Sequence, residues 1–337
     1  MANIRDVARK AGVAPITVSR VINDSEYVSA EVRSRVEKAI AELNYVPNRL
    51  GPSMRSKRSN TIGLIVTDIT NPFWTTVVRG VEDAAYKAGY HLFLCNSDES
   101  LEKELEYTEL LLSRQVDGFL IAPANTSSDS LEVIQKQKKP IVLLDRRINN
   151  PDIDVVRGDS ERGAYLLTKY LIDLKHEKIV LLNGSQTVST AIDRAEGYRR
   201  AMTEAGLEEN TNIFWGEFNH DSGYLMALEA LQGETRPTAI IAANNFIAIG
   251  AIRVLDNFEL SIPEDISLAV FDGLPEAIAV RPFLTAIAQP TYEMGLMAAN
   301  ILFERLNNPS KTDVKKIILP FELKIRSSSG PPNPGTH

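Results

Sequence analysis

From Thr61 onward the chain alternates short aliphatic, β-branched runs with longer amphipathic stretches: 61–67 then 72–88, and 90–95 then 101–113. A strand that is apolar throughout must be covered on both faces. Strand, helix, strand in succession therefore closes into a parallel sheet flanked by helices. Further runs at 118–122 and 140–144 continue the first set, and runs at 178–182, 239–242 and 266–271 make a second. About six strands, a break near Asp159 and about six more predict an α/β body of two doubly wound parallel sheets. Open sheets of this kind bind ligands at the carboxyl ends of their strands, so two in tandem point to a cleft between two lobes. The single cysteine, Cys95, falls in the run 90–95, read here as a buried strand, and excludes an intrachain disulfide.

The first 60 residues follow another rule. Val7, Ala8, Ala11 and Val13 give a short amphipathic helix closed by Gly12, a second runs from Pro15 to Ile22, and a third from about Ala30 to Leu43 ends at Asn44. Charge divides at the same place. Residues 1–60 hold 11 Lys and Arg against 6 Asp and Glu, a net +5, while the remainder holds 26 against 38, a net −12. Phosphates attract a basic head and repel an acidic body, so only the head offers a DNA surface. Between them, 47–60 is basic, rich in Ser and Pro and poor in core residues, which reads as a linker or a helix that forms conditionally.

The order Asp6-Val7-Ala8, Gly12-Val13, Thr17-Val18-Ser19-Arg20 and Asn23 closely resembles the N-terminal signature of the lac repressor family of bacterial regulators. The resemblance implies a helix-turn-helix whose second helix enters the major groove, where Arg20 can bond guanine through two donors. It also implies that Pro15 and Ile16 face base edges, although neither offers a side-chain hydrogen bond. They can read only apolar features such as a thymine methyl. Ala14 stands where the family carries a capping serine, so a cap worth roughly 1 kcal/mol is missing, and Pro15 at the first helical position partly compensates. Thr17, Ser19, Asn23, Tyr27 and Ser29 are candidate phosphate contacts, or else ordinary cap and surface residues. In the linker, relatives fold a hinge helix on DNA that wedges an apolar side chain into the minor groove. The matching residue is Met54, behind a helix start weakened by Gly51 and expected at Pro52.

From Thr61 to about Arg326 the chain looks like a periplasmic sugar-binding protein joined behind this head. The resemblance places Asn71, Phe73 and Trp74 after the first strand, where an amide suits a hydroxyl and aromatic rings suit a sugar's apolar face. It adds Asp145 and Arg146 after the strand 140–144, Arg194 and Asn244 in the other lobe, and Asp272 and Gln289. The aspartates fit a polyol, whereas the arginines also tolerate a sugar acid. The expected organisation is a helix-turn-helix domain over 1–46, a hinge over 47–60 and an effector domain over 61–327. Its lobes take about 61–159 with 290–318 and 160–289 with 319–327, and a disordered tail follows over 328–337.

These readings predict a sequence-specific transcriptional regulator, a repressor, acting on a palindromic double-stranded operator under control of a sugar or sugar acid. A stand-alone sugar-binding protein is the alternative, but it has no use for a basic three-helix head. No GxGxxG, Walker or GxSxG motif is present and His91, His176, His220 and His337 lack metal spacing, so no enzyme, metal site or cofactor is expected. No apolar run approaches the roughly 18 residues of a membrane span, and the start lacks a signal-peptide region, so the expected location is the cytoplasm. A symmetric operator implies a homodimer. Val77, Val81, Ala84, Ile247, Ile249 and Ile252 are candidates for its interface or for core.

Overall fold

A computed structural model of the protein describes residues 2–22, 27–46, 58–127, 129–149, 152–233, 236–273, 282–311 and 313–333. The chain divides into two compact units, Met1–Ser59 and Asn60–His337. The hinge residues Gly51, Pro52 and Met54, and Asn23 in the head, lie outside the described residues.

In the first unit α1 (Ile4–Ala11), α2 (Pro15–Ile22) and α3 (Ala30–Glu42) enclose a core of Val7, Ala8, Ala11, Val18, Val21, Val36 and Ala39. Local chemistry sets the helix ends. Asn3 Oδ1 accepts from the Asp6 backbone N–H while the Asp6 carboxylate accepts from Asn3 N–H, a reciprocal capping box. Gly12 then turns the chain in the left-handed region at φ 65°. Ala14 caps α2 with its backbone carbonyl, which accepts from Thr17 and Val18. Ser29 Oγ caps α3 by accepting from Val32 N–H, and Asn44, at φ 44°, lies just past the α3 end.

The second unit holds two six-stranded sheets. We number its strands β1 (Thr61–Val66), β2 (His91–Asn96), β3 (Gly118–Ile121), β4 (Ile141–Leu144), β5 (Asp154–Gly158), β6 (Ile179–Asn183), β7 (Asn212–Trp215), β8 (Ala239–Ala242), β9 (Ser267–Phe271), β10 (Thr285–Ala288), β11 (Lys316–Leu319) and β12 (Glu322–Lys324). The orders are β11-β5-β4-β3-β1-β2 and β12-β10-β9-β8-β6-β7, the same sequence of positions in each lobe. One strand departs from the all-parallel expectation: β12 runs antiparallel to β10. The chain crosses between sheets after β5, after β10 and again between β11 and β12. No described helix is long and apolar enough to cross a membrane.

The helices are α4 (Pro72–Lys87), α5 (Leu101–Ser113), α6 (Asp129–Lys136), α7 (Ser160–Asp173), α8 (Ser189–Glu204), α9 (His220–Gln232), α10 (Asn245–Asn257) and α11 (Thr291–Asn307). They pack in close pairs, α4 with α11, α7 with α8 and α9 with α10. Glycine makes that closeness possible. A methyl group on Gly80 of α4 would overlap the Tyr292 carbonyl oxygen of α11, and one on Gly295 would overlap that of Val77. Val77, Val81 and Ala84 are therefore core beneath α11, and Ile247 is core in the second lobe, so these four are not interface residues.

Two other expectations are corrected. The run 90–95 is not a buried strand: β2 lies at the edge of its sheet, with Phe93 and Leu94 exposed and Cys95 only half-buried. The described part of the tail is not disordered either. Ser328 is fully buried, its Oγ donating to Leu268 O and accepting from Thr285 N–H, and Gly330 O lies 2.8 Å from His176 Nε2. A polar cluster in the second lobe fixes a segment whose composition alone offers nothing to bury.

The glycine contacts carry a prediction. Gly80→Val forces two helix backbones apart and should cost about 1–3 kcal/mol, lowering Tm by several degrees. Gly233→Ala, whose added Cβ meets only ordinary contacts, should leave Tm within about a degree. Equal Tm values for Gly80→Val and the native protein by differential scanning calorimetry would refute the close packing.

Candidate functional site

The carboxyl ends of the two sheets meet around one cavity with an empty volume of about 420 Å³. From the first lobe come Asn71, Phe73 and Trp74 at the start of α4, and Asp145 and Arg146 after β4. The second lobe supplies Arg194, Asn244 and Asp272. Eight of the nine residues expected in the cleft thus line it. Gln289, the ninth, stands behind them: its Nε2 donates to both Asp272 oxygens, at 2.9 and 3.1 Å.

The two aspartates occupy matching places. Asp145 follows β4 and Asp272 follows β9, third from the corresponding edge of each sheet, and each adopts a left-handed conformation, at φ 60° and 54°. Aspartate tolerates that region better than most residues because its short side chain bonds locally. Each also donates its backbone N–H to the neighbouring strand, Asp145 to Val156 O and Asp272 to Ile287 O, both at 2.9 Å. The backbone is thus held while the carboxylate turns toward the cavity.

The arginines are buried among both charges and rings. Arg146 donates through Nη2 to Glu99 at 2.7 Å and through Nη1 to Pro123 O at 3.1 Å. Arg194 donates to Ala243 O at 2.6 Å and lies over the Phe271 ring, 4.3 Å from its centroid. Phe218 sits near both, 5.5 Å from Arg146 and 5.9 Å from Arg194. The Nε atoms of both arginines, Asp145 Oδ1 and Gln289 Oε1 are buried without a hydrogen-bond partner among the described residues. Such atoms cost stability unless something else bonds them. Burial pushes the Asp272 carboxyl up to about 7 against the pull of Arg194, and burial likewise raises Asp145 despite Arg194 and Arg146.

The remaining cavity residues do structural work as well. Asn71 Oδ1 caps α4 by accepting from Phe73 N–H at 3.0 Å. Its Nδ2 donates to Asn245 Oδ1 at 3.0 Å, and Asn245 Nδ2 donates back to Asn71 Oδ1 at 2.9 Å, so a reciprocal amide pair joins the lobes at the cavity. Asn244 caps α10 through Ile247 N–H and donates to Phe218 O at 3.2 Å. Phe73 and Trp74 pack edge to face, with centroids 4.9 Å apart, as part of the first-lobe core while still touching the cavity.

Thr67, Asp68, Glu99, Thr190, Phe218 and Asn245 also line the cavity and were not singled out from sequence. Thr67 and Asp68 directly follow β1, so the strand-end rule that picks Asp145 picks them equally. Nothing local marks Glu99 as the partner of Arg146, 47 residues away. Among the described residues no group of His, Cys, Asp or Glu is arranged to hold a metal ion.

In the head, Pro15, Ile16 and Arg20 are exposed along α2, Thr17 and Ser19 are partly buried, and Tyr27 is exposed. Ser29 is spent on capping α3.

Residues 3–48 match the family model for bacterial regulatory proteins of the lacI family, and residues 59–327 match that for periplasmic binding proteins and the sugar binding domain of the LacI family. The chain is 38% identical over 330 residues to the HTH-type transcriptional repressor PurR of Pasteurella multocida, covering 97% of this chain and 98% of that protein. It is 36% identical over 330 residues to the ribose operon repressor of Escherichia coli, covering 97% and 100%. Among solved structures it is similar to a LacI family regulator from Enterococcus faecium with bound ribose, at 34% identity and TM-score 0.71 over 80% of this chain and 99% of that one. It is also similar to the lac repressor dimer bound to operator and the anti-inducer ONPF, at 26% identity and TM-score 0.82 over 98% and 99%. The chain therefore belongs to the lacI family of bacterial regulatory proteins, and is a DNA-binding transcriptional regulator controlled by a small-molecule effector.

Proposed function

We propose that the effector is a neutral sugar held in the cavity between the lobes, with ribose the first to test, and that the regulator is a repressor. The charge of the cavity carries this reading. Among its described lining residues, Asp68, Glu99, Asp145 and Asp272 outnumber Arg146 and Arg194, and Glu99 already occupies Arg146. An anionic sugar acid would find no unopposed arginine there, because Glu99 holds Arg146 and the Asp145 and Asp272 carboxyls lie beside Arg194. A polyol instead offers hydroxyls that donate to Asp145 Oδ1 and accept from the unpartnered arginine Nε atoms. The ribose operon repressor among the relatives and the ribose-bound neighbour support the choice of sugar.

The DNA-reading surface includes the exposed face of α2, where Arg20 reads a base and Pro15 and Ile16 make apolar contacts; Thr17 and Ser19 of α2, and Asn23, Tyr27 and Ser29 after it, meet phosphates, Ser29 through the hydroxyl hydrogen that its capping role leaves over. Met54 wedges into the minor groove. The protein acts in the cytoplasm as a homodimer on a palindrome, with no catalytic activity. The exposed apolar pair Phe93 and Leu94 on the edge strand β2 supports self-association, since an exposed apolar edge invites pairing.

Isothermal titration calorimetry on the full chain should find ribose binding at one site. Arg194→Ala and Asp272→Ala should each weaken it tenfold or more, because each leaves buried polar atoms unpaired at roughly 1–3 kcal/mol, while operator binding by the sugar-free protein is retained. Binding of a sugar acid or a purine in preference to ribose, or unchanged affinity in both variants, overturns the sugar reading.

Operator affinity tests the head. A full palindrome should bind far more tightly than one half-site, and Arg20→Ala should lose about 1–3 kcal/mol while relaxing preference at one base pair per half-site. An equal loss on all DNA would make Arg20 a phosphate clamp. Equal affinity for half and full sites would remove the dimer.

The raised Asp272 carboxyl gives a signed pH effect. An exposed aspartate ionises near 3.8, whereas Asp272 holds its proton to about 7. Between these values the folded protein binds a proton that the unfolded chain has released, so this contribution is fully present below about 3.8 and lost as the pH rises through 7. Asp272→Asn cannot ionise and should raise Tm more at pH 8 than at pH 5. A larger gain at pH 5 would contradict the buried, raised carboxyl.

A further inference from the structure

A second concavity lies at the opposite edge of the first lobe and shares no described lining residue with the sugar cavity. The strand register puts Val155 and Arg157 of β5 on one face with Lys316 and Ile318 of β11. The other face, with Val156, packs into the core under α4 and α11. On the first face α5 and α6 cover the sheet through Leu111, Leu131 and Ile134 as far as Leu143 and Val155. Among the described residues no helix extends that cover over β11, where Ile318 is half exposed. The result is a groove with an empty volume of about 860 Å³, within the size range of small-molecule sites and small for a protein partner. Its floor and walls are aliphatic, from Leu143, Ile148, Ile153 and Val155.

Its rim is cationic. Arg147, Arg157 and Lys316 line it, and Asp193 of α8 is the one carboxylate paired with any of them among the described residues. That single acid serves two arginines unequally: it is in close contact with Arg147 but 3.5 Å from Arg157 Nη1. Arg157 turns its Nη1 also to Gly158 O at 3.1 Å. Lys316 is exposed and pairs with no acid among the described residues. An apolar floor beneath an excess of positive charge matches a molecule with one anionic head and an apolar body.

We infer that this groove is a second ligand site, for an apolar carboxylate whose head takes Arg147 and Arg157 from Asp193 and whose tail lies on Val155 and Ile153. The position matters because Arg147 and Asp193 come from different lobes, and each adjoins a residue of the sugar cavity, Arg146 and Arg194. The bond that the carboxylate opens is thus one of the ties between lobes, beside the donation of Arg147 N–H to Ser189 Oγ at 2.9 Å.

Octanoate is the probe, titrated calorimetrically into the full chain without sugar, so the result does not depend on the identity of the effector. Saturable binding of one octanoate per chain is expected, with no matching binding of octylammonium, which has the same tail and the opposite charge. Lys316→Glu, an exposed substitution, should weaken octanoate at least fivefold. Asp193→Asn should tighten it severalfold by removing the competing carboxylate, and a single cooperative melting transition of each variant without octanoate establishes that both are folded. Absence of saturation, equal binding of octylammonium, or an octanoate affinity indifferent to both substitutions overturns the site. Weaker binding in Asp193→Asn overturns the exchange of partners.

Discussion

Three ionisable side chains, Asp145, Arg146 and Arg194, are withdrawn from bulk water into one cavity with Asp272 partly buried beside them, and the rest of the body is arranged around the cost of doing so. A lone charge moved into a protein interior loses several kcal/mol of hydration, so it must find opposite charge, hydrogen bonds or aromatic faces. Arg146 finds Glu99, and Arg194 finds Ala243 O and the rings of Phe271 and Phe218. The aspartates find less: Asp272 has the Gln289 amide, and Asp145 Oδ1 has no hydrogen-bond partner among the described residues. The incomplete satisfaction is what a binding site requires, since a fully paired network leaves nothing for a ligand to bond.

That cavity is made from both lobes, which is why binding in it can act at a distance. A ligand shifts an equilibrium only by its difference in affinity between two conformations. Groups contributed by different lobes supply such a difference, because they converge on a ligand only in one arrangement. The ties already present set the balance against which the ligand works: the Asn71–Asn245 amide pair and the bonds of Arg147 to Ser189 and Asp193. Gln289 lies at a third point of contact. Its amide bonds Asp272 in one lobe and packs over Gly158, the last residue of β5 in the other, where any side chain would collide with it. Gly158 and Gln289 also stand at two of the places where the chain passes between sheets, so a change at Asp272 is felt where the lobes are joined.

The head meets a different constraint. Three short helices enclose few apolar residues, and so small a core leaves little stability in reserve. Local devices make up part of the difference: the Asn3–Asp6 capping box, the left-handed Gly12 and the Ser29 cap. Asp6 of the Asp-Val-Ala motif is thus a structural residue, and Val7 and Ala8 are core. The second helix buries Val18 and Val21 inward, which leaves Pro15, Ile16 and Arg20 exposed on its outer side.

Periodicity alone determined much of this protein. Apolar spacing of three and four marks the head helices, the alternation of aliphatic runs with amphipathic stretches marks two sheets with their crossover helices, and charge assigns DNA to the head. The family resemblance picks Asp145, Arg146, Asn244 and Asp272 as cavity residues, and the physical reason agrees, since a parallel strand delivers whatever follows it to the carboxyl edge of its sheet. Which strand lies at an edge was not legible: β2 is as apolar as its neighbours, yet Phe93 and Leu94 are exposed on a strand that, among the described residues, has a neighbour on one side alone. Only tertiary structure placed Ser328 against Leu268 and Thr285, Glu99 against Arg146, and Asn71 against Asn245, 174 residues away. Periodicity reports the side of an element that faces its neighbours, because that follows from residues one turn or one pleat apart. It carries no record of which polar groups meet across a cleft, because that depends on how two separately folded sheets are brought together.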